Sequence, residues 1–296
     1  MNRIDIYEVG PRDGFQSVSE YIPLDTKLRI IDSILDSGIR HVQITSFVSP
    51  KAIPQMQDAR EIASICTGKY PDTLFFALVP NLRGAQAAWE TGIRQVSFVV
   101  SLGESHNRAN INRTHAESFE ELQKILKAYP QLDVCLDLAT AFGCPFEGKK
   151  NEQEVLAFLR PYIDTGIRTV NLCDTIGIAN PAQVRRTISS IQKTYPNLEL
   201  QIHIHDTRNM GMVNTLAAIE CGVSKVQSTL GGLGGCPYAP GASGNLATED
   251  LVFMLSEMGY ELGIDLKKLV QAARDQAKII PGSLFSGHLH TIADRK

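Results

Sequence analysis

Ser37-Gly38-Ile39-Arg40-His41-Val42-Gln43 is a segment that the chain repeats with variation three times: as Thr91-Gly92-Ile93-Arg94-Gln95-Val96-Ser97, as Thr165-Gly166-Ile167-Arg168-Thr169-Val170-Asn171 and as Cys221-Gly222-Val223-Ser224-Lys225-Val226-Gln227. Each copy follows a stretch that reads as helix and leads into a β-branched run. The glycine reads as the left-handed residue that closes a helix, a conformation costly for any residue with a Cβ, and the run after it as a buried strand. The four glycines lie 54, 74 and 56 residues apart. One βα unit takes about 27 residues when eight of them make an α/β barrel of common size. The repeat therefore marks every second strand. Candidates for the strands in between stand at 73–79, 132–138 and 198–203, and 4–9 supplies the first.

Eight alternating β and α units with apolar strands imply a parallel sheet, and the even composition along the chain favours closure: an α/β protein, a (β/α)8 TIM barrel. The 74-residue spacing predicts an enlarged loop after strand 4, over 101–114. Residues 264–277 read as an extra C-terminal helix packed on the barrel, so that 1–296 forms one catalytic domain with a helical extension over 260–296.

The 43% hydrophobic and 21% charged content over 296 residues is that of a globular chain with a sizeable core. A net charge of −3 offers no broad cationic surface, which argues against nucleic acid or an anionic membrane as partner and leaves any phosphate site local. No apolar leader or membrane-length stretch is evident, so a cytoplasmic protein is expected. The six cysteines lack CxxC spacing; apart from Cys236 they read as small buried residues, neither a zinc ribbon nor a disulfide framework.

Barrel enzymes carry their chemistry at the C-terminal ends of strands. Strand 1 ends in Glu8-Val9-Gly10-Pro11-Arg12-Asp13-Gly14-Phe15-Gln16, a charged turn. Strand 7 ends in His203-Ile204-His205-Asp206-Thr207. Side chains alternate along a strand, so His203 and His205 point the same way, and a carboxylate such as Asp13 would complete a two-histidine, one-carboxylate metal face with open positions for substrate. Strand 8 leads into Gly231-Gly232-Leu233-Gly234-Gly235-Cys236-Pro237-Tyr238-Ala239-Pro240-Gly241-Ala242-Ser243-Gly244-Asn245. Six glycines in fifteen residues suit a moving loop, and a cysteine on it is a candidate acid, base or nucleophile. Asn245 either caps the helix after it or gives its amide oxygen to the metal. After strand 5, Phe142-Gly143-Cys144-Pro145-Phe146-Glu147-Gly148-Lys149 brings a lysine to the rim, where it could meet a phosphate. His106, His115, His288 and His290 have no convergent partners in the sequence.

Together these motifs resemble the 3-hydroxy-3-methylglutaryl-CoA lyase family of the DRE-TIM metallolyase superfamily, over residues 6–272. The most specific part is 232–250, ending Gly241-Ala242-Ser243-Gly244-Asn245-Leu246-Ala247-Thr248-Glu249-Asp250; supporting stretches are Glu8 to Gln16, Thr45-Ser46-Phe47-Val48-Ser49-Pro50-Lys51, Gly143 to Lys149 and Asp174-Thr175-Ile176-Gly177. The resemblance implies Mg²⁺ or Mn²⁺ on Asp13, His203, His205 and Asn245, with Arg12 polarising the thioester carbonyl. It also implies proton transfer by Cys236, Glu8 and Asp174 lining the site, Gln16 and Gln43 at the substrate, Lys149 at the CoA phosphates, an acyl-CoA ester as the small-molecule partner and a homodimer as the assembly.

Two departures bear on the acyl group. Gln43 stands where the family has a glutamate on strand 2, and Arg208-Asn209-Met210-Gly211 replaces an aromatic-glycine-glutamine sequence. A citramalyl- or methylmalyl-CoA is thus the first alternative substrate. A Claisen-condensing synthase of the same superfamily is a second reading, weakened by the Cys236 loop. A third is an inactive CoA-binding barrel, against which Arg12, Asp13, both histidines, Cys236 and Asn245 are all retained.

Overall fold

The computed structural model describes residues 3–235, 244–280 and 285–292. Eight strands form the barrel: β1 (Asp5–Glu8), β2 (His41–Ser46), β3 (Leu74–Leu78), β4 (Gln95–Ser101), β5 (Asp133–Ala139), β6 (Thr169–Asp174), β7 (Glu199–Ile204) and β8 (Lys225–Ser228). All neighbours pair in parallel and β8 returns to β1 through Asp5↔Lys225 and Glu8↔Ser228, so the sheet has no edge. This is the (β/α)8 barrel that the repeat predicts.

The repeat glycines do what their spacing implies. Gly38, Gly92, Gly166 and Gly222 have φ of 103°, 88°, 99° and 91°. They follow the C-caps of α1 (Leu24–Asp36), α3 (Leu82–Glu90), α6 (Glu152–Asp164) and α8 (Gly211–Glu220). The remaining barrel helices are α2 (Ala59–Lys69), α5 (His115–Ala128), α7 (Pro181–Thr194) and α9 (Thr248–Glu257). The predicted loop after strand 4 is instead largely helical: α4 (Glu104–Ile111) occupies it, so the extra length is an ordered wall of the barrel mouth. A two-residue antiparallel pair, Gly143–Cys144 with Gly148–Lys149, takes up the rest of the long spacing. The expected C-terminal helix is α10 (Leu266–Ile279), which packs on α1 and α9.

One face of every strand belongs to the helices. Ile6, Val42, Val96, Phe98, Leu136, Leu138, Val170, Leu172, Ile202, Ile204 and Val226 join one continuous core with the inward stripes of the helices. Burying each such side chain contributes about 1.5–3 kcal/mol. The other face holds a small apolar plug, Tyr7, Val9 and Phe76, and then a run of buried polar residues: Gln43, Ser97, Asp137, Asn171, Gln201, His203 and Gln227. A packed barrel is usually filled with branched apolar residues. Here the upper interior is polar instead.

Closure is secured by Glu8, which shares the outward face of Ile6. Its buried carboxylate accepts the amides of Gly10 (2.7 Å) and Leu230 (2.9 Å) and the Thr248 hydroxyl (2.6 Å), joining β1 to the loop after β8 and to α9. A Cβ at Gly10 would lie 2.5 Å from this carboxylate, so a side chain here would have to push it out of its hydrogen bonds. Burial pushes the Glu8 carboxyl up to about 7, against the pull of Thr248, Leu230 and Gly10.

Two outcomes are expected. Gly166→Ala, with open space around the added methyl, should cost about 1–2 kcal/mol for its left-handed backbone. Gly38→Ala should cost more, since its Cβ would also meet the Gly263 carbonyl at 2.5 Å; urea midpoints of the two variants check the order. Because folding raises the Glu8 pKa from 4.5 to about 7, the folded state holds a proton that the unfolded chain has lost, and stability should fall as pH rises through that window. Asp174, raised from 3.8 to about 6, acts in the same sense lower down. Glu8→Gln preserves the shape and should flatten the decline between pH 6 and 7; melting temperatures that fall equally in both proteins would contradict this.

Candidate active site

The C-terminal ends of the strands surround a cavity of about 220 Å³ lined by Arg12, Asp13, Asp137, Asn171, His203, His205 and Gln227 among others. Arg12 and Asp13 are carried by the single turn Gly10–Gly14, anchored where the Val9 carbonyl accepts the amides of Arg12 (3.1 Å) and Asp13 (2.7 Å). Ile202 and Ile204 are held in the outer core, and that fixes His203 and His205 inward.

Asp13, His203 and His205 each present one ligand atom, all within 4.8 Å of one another, and they form the one such group found among the described residues. Burial would raise the Asp13 carboxyl, but the Arg12 charge and the Asn245 amide oppose it and hold it at about 2, so Asp13 is an anion. Burial also lowers both imidazoles, His205 to about 4 with help from His203, so both are neutral and keep lone pairs. The Gln227 side-chain oxygen lies 3.1 Å from His203 Nδ1, which places the proton there and leaves Nε2 as donor to an ion.

Asn245 does not cap the following helix. That helix starts at Thr248 with Ala247 as its N-cap, and Asn245 instead lies beside His205 in an isolated antiparallel bridge. Its Nδ2 donates to Asp13 Oδ2 (2.8 Å) and the Leu233 carbonyl (3.2 Å), while its Oδ1 is buried with no hydrogen-bond partner, as is His205 Nδ1. Two orphaned acceptor-capable atoms beside a carboxylate and two neutral imidazoles fit a divalent cation, since buried polar atoms are otherwise paired.

Arg12 is held from two sides. Its Nη1 donates to Asp13 Oδ1 and its Nε to Gln43 Oε1; Gln43 Nε2 in turn donates to Ser97 Oγ (3.1 Å). Gln16, exposed at the rim, donates to Asp13 Oδ1 at 2.9 Å. Lys149 is exposed on the hairpin after β5, and its neighbour Lys150 is tied to Glu147 and Glu154. Cys236 lies outside the described residues.

Glu8 and Asp174, expected to line the site, are buried on the outward face and turned to backbone amides; Asp174 accepts those of Ile178 (3.1 Å) and Ala179 (2.9 Å). They shape the turns that carry Arg12 and the wall after β6. Asp137, Asn171, Gln227 and His106 line the cavity without having been singled out from the sequence. The signal for the first three was present: each sits between outward-facing apolar residues or beside one, as His203 does. His106 gave no such signal, because it belongs to α4, which reads as a loop.

Comparison with known proteins agrees with this geometry. The model of the HMGL-like family matches residues 3–275. The chain is 39% identical over 272 residues to the mitochondrial hydroxymethylglutaryl-CoA lyase of Homo sapiens, covering 91% of this chain and 83% of that protein. It is 38% identical over 274 residues to hydroxymethylglutaryl-CoA lyase YngG of Bacillus subtilis, covering 92% and 91%. Among solved structures, an HMG-CoA lyase of Acinetobacter baumannii in complex with coenzyme A and 3-methylmalate superposes with a TM-score of 0.91 at 40% identity, covering 97% of this chain and 94% of that one. The chain therefore belongs to the HMGL-like family and is an enzyme of the hydroxymethylglutaryl-CoA lyase type.

Proposed function

We propose that this enzyme cleaves 3-hydroxy-3-methylglutaryl-CoA to acetyl-CoA and acetoacetate, using a divalent cation, Mg²⁺ or Mn²⁺, held by Asp13, His203, His205 and Asn245. The observation that carries the reading is the convergence of those four side chains, with two orphaned atoms among them, beside an Arg12 whose direction is already fixed. Bound there, the cation supplies Lewis acidity toward the substrate hydroxyl and carboxylate and orients both.

Cleavage breaks the bond between C2 and C3 of the ester. The C3 hydroxyl loses its proton, C3 becomes the ketone carbon of acetoacetate, and the electron pair passes to C2 and the thioester oxygen as an enolate. Arg12 is assigned to that oxygen: its Nε and Nη1 are engaged by Gln43 and Asp13, so its charge stays directed rather than free to rotate. A preorganised cation facing developing negative charge is often the largest single contribution to such a step. Protonation at C2 then releases acetyl-CoA. Cys236, on the glycine-rich loop, is assigned that proton transfer, and Lys149 at the rim is assigned to the CoA phosphates. Gln16 positions Asp13, while Glu8 and Asp174 act as positioning residues through the backbone they bind.

Gln43 favours a second reading, in which a malyl-type ester such as citramalyl- or 3-methylmalyl-CoA is cleaved better; the A. baumannii relative carrying coenzyme A and 3-methylmalate points the same way.

Purified protein with Mg²⁺ and a thiol reductant, given the three esters in parallel, should release acetoacetate fastest from 3-hydroxy-3-methylglutaryl-CoA, and Cys236→Ala should abolish the release. Faster cleavage of a malyl-type ester would retain the chemistry and transfer the assignment to the second reading, and no keto acid from any ester would refute both. Independently of turnover, Mn²⁺ titration followed by calorimetry should show one site, with His205→Ala weakening it by about 10–100-fold or more.

A further inference from the structure

Asp137 is a buried carboxylate in the middle of β5, directly opposite Asn171 of β6, and it lines the cavity that holds Arg12 and His203. Resting on the reading above, we propose that Asp137 is the counter-anion that positions Arg12, acting through the neutral bridge Gln43–Ser97.

The argument is one of counting donors. Arg12 Nε can only donate, so the Gln43 atom facing it must be the amide oxygen and the amide nitrogen must face Ser97. Ser97 Oγ accepts from that nitrogen (3.1 Å), which leaves its hydroxyl proton for Asp137, a carboxyl that burial raises and that Arg12, Asn171 and Ser97 pull the other way. Asp137 Oδ1 also accepts from Asn171 Nδ2 (3.1 Å) and lies 3.8 Å from Cys135 Sγ. The chain of bonds therefore has one direction, from the Arg12 cation to the Asp137 anion.

This gives Gln43 a meaning other than loss. A glutamate at this position would leave two carboxylates competing for the one Ser97 proton, with nothing to donate in the opposite sense. With the acid on β5, the β2 position must be an amide. Exchanging the two groups, by Gln43→Glu together with Asp137→Asn, is also self-consistent: the new amide on β5 donates to Ser97 Oγ, and the Ser97 proton goes to the new carboxylate on β2. The direction of the bridge reverses and every donor stays matched. Either strand can carry the acid, provided only one of them does.

The test is that charge exchange, assayed with the preferred ester at saturating Mg²⁺. Asp137→Asn and Gln43→Glu should each lower kcat about 10–100-fold with KM changed less than about threefold, the mark of a group that orients rather than binds. The double variant should recover at least about tenfold over either single. Ser97→Ala, which cuts the bridge and spares both ends, should reproduce the single-variant loss, and serves where a charged variant fails to fold. Asp137→Asn with kcat within about threefold of the parent, or a double variant as poor as the product of the two singles, overturns the inference. Melting temperatures of the parent, the two singles and the double give a readout free of turnover: Gln43→Glu should lower the midpoint and adding Asp137→Asn should restore it. If the parent cleaves none of the esters, the proposed reaction falls, and the bridge is judged by that melting comparison alone, absence of coupling refuting it.

Discussion

A parallel barrel strand between an outer ring of helices and an enclosed interior has two faces, and no residue can serve both. This constraint governs the rest of the molecule. The helices claim one parity on every strand, Val96 and Phe98, Leu136 and Leu138, Ile202 and Ile204, and pin the backbone by packing that tolerates little rotation. The other parity is then free to carry what an apolar core would reject. His203, Asn171 and Asp137 remain desolvated at fixed angles because their neighbours on the far side are locked.

Such an interior is stable only if its polar atoms meet each other. Most do: Gln43, Ser97, Asp137 and Asn171 form a connected series, and Gln227 connects His203 with Gln201. Three of the atoms left over lie where a ligand would sit. Asn245 Oδ1, His205 Nδ1 and Asn171 Oδ1 are buried and unpaired among the groups facing or bordering the cavity. A bound cation and substrate would complete these contacts.

The eight-strand count, the glycine-closed helices and the His203/His205/Asp13 grouping were legible in the sequence, because each leaves a periodic trace: a repeat spacing, a left-handed glycine, an alternation of two. Glu8 and Asp174 were harder to place. Both are acids at the ends of barrel strands, where chemistry is expected, and their motif gave them to the site. Yet each lies two residues after an outward-facing residue, Ile6 and Leu172, and so faces backbone amides rather than the cavity. The same parity, applied to β5, would have drawn Asp137 into the site. α4 escaped because its eight residues include His106, Asn107, Asn110 and few apolar ones, leaving no stripe to read; it is stabilised by contacts such as the Asn107 amide with Ser101, Arg113 and Ser118. The Cys236 segment lies outside the described residues, and its role stands on the motif.

The clamp on Glu8 also sets an order of events in the making of the protein. Its carboxylate closes on Leu230 and Thr248, which lie 222 and 240 residues further along the chain. A ribosome delivers Glu8 first and those partners near the end of its work, so β1 spends most of synthesis with no final place to dock. Arg12 and Asp13 sit on the turn directly after that strand. Until β8 and α9 have emerged, Asp13 and the two histidines of the proposed cation site belong to separate parts of an open sheet, and a nascent or truncated chain can carry every one of these side chains yet gather none of them.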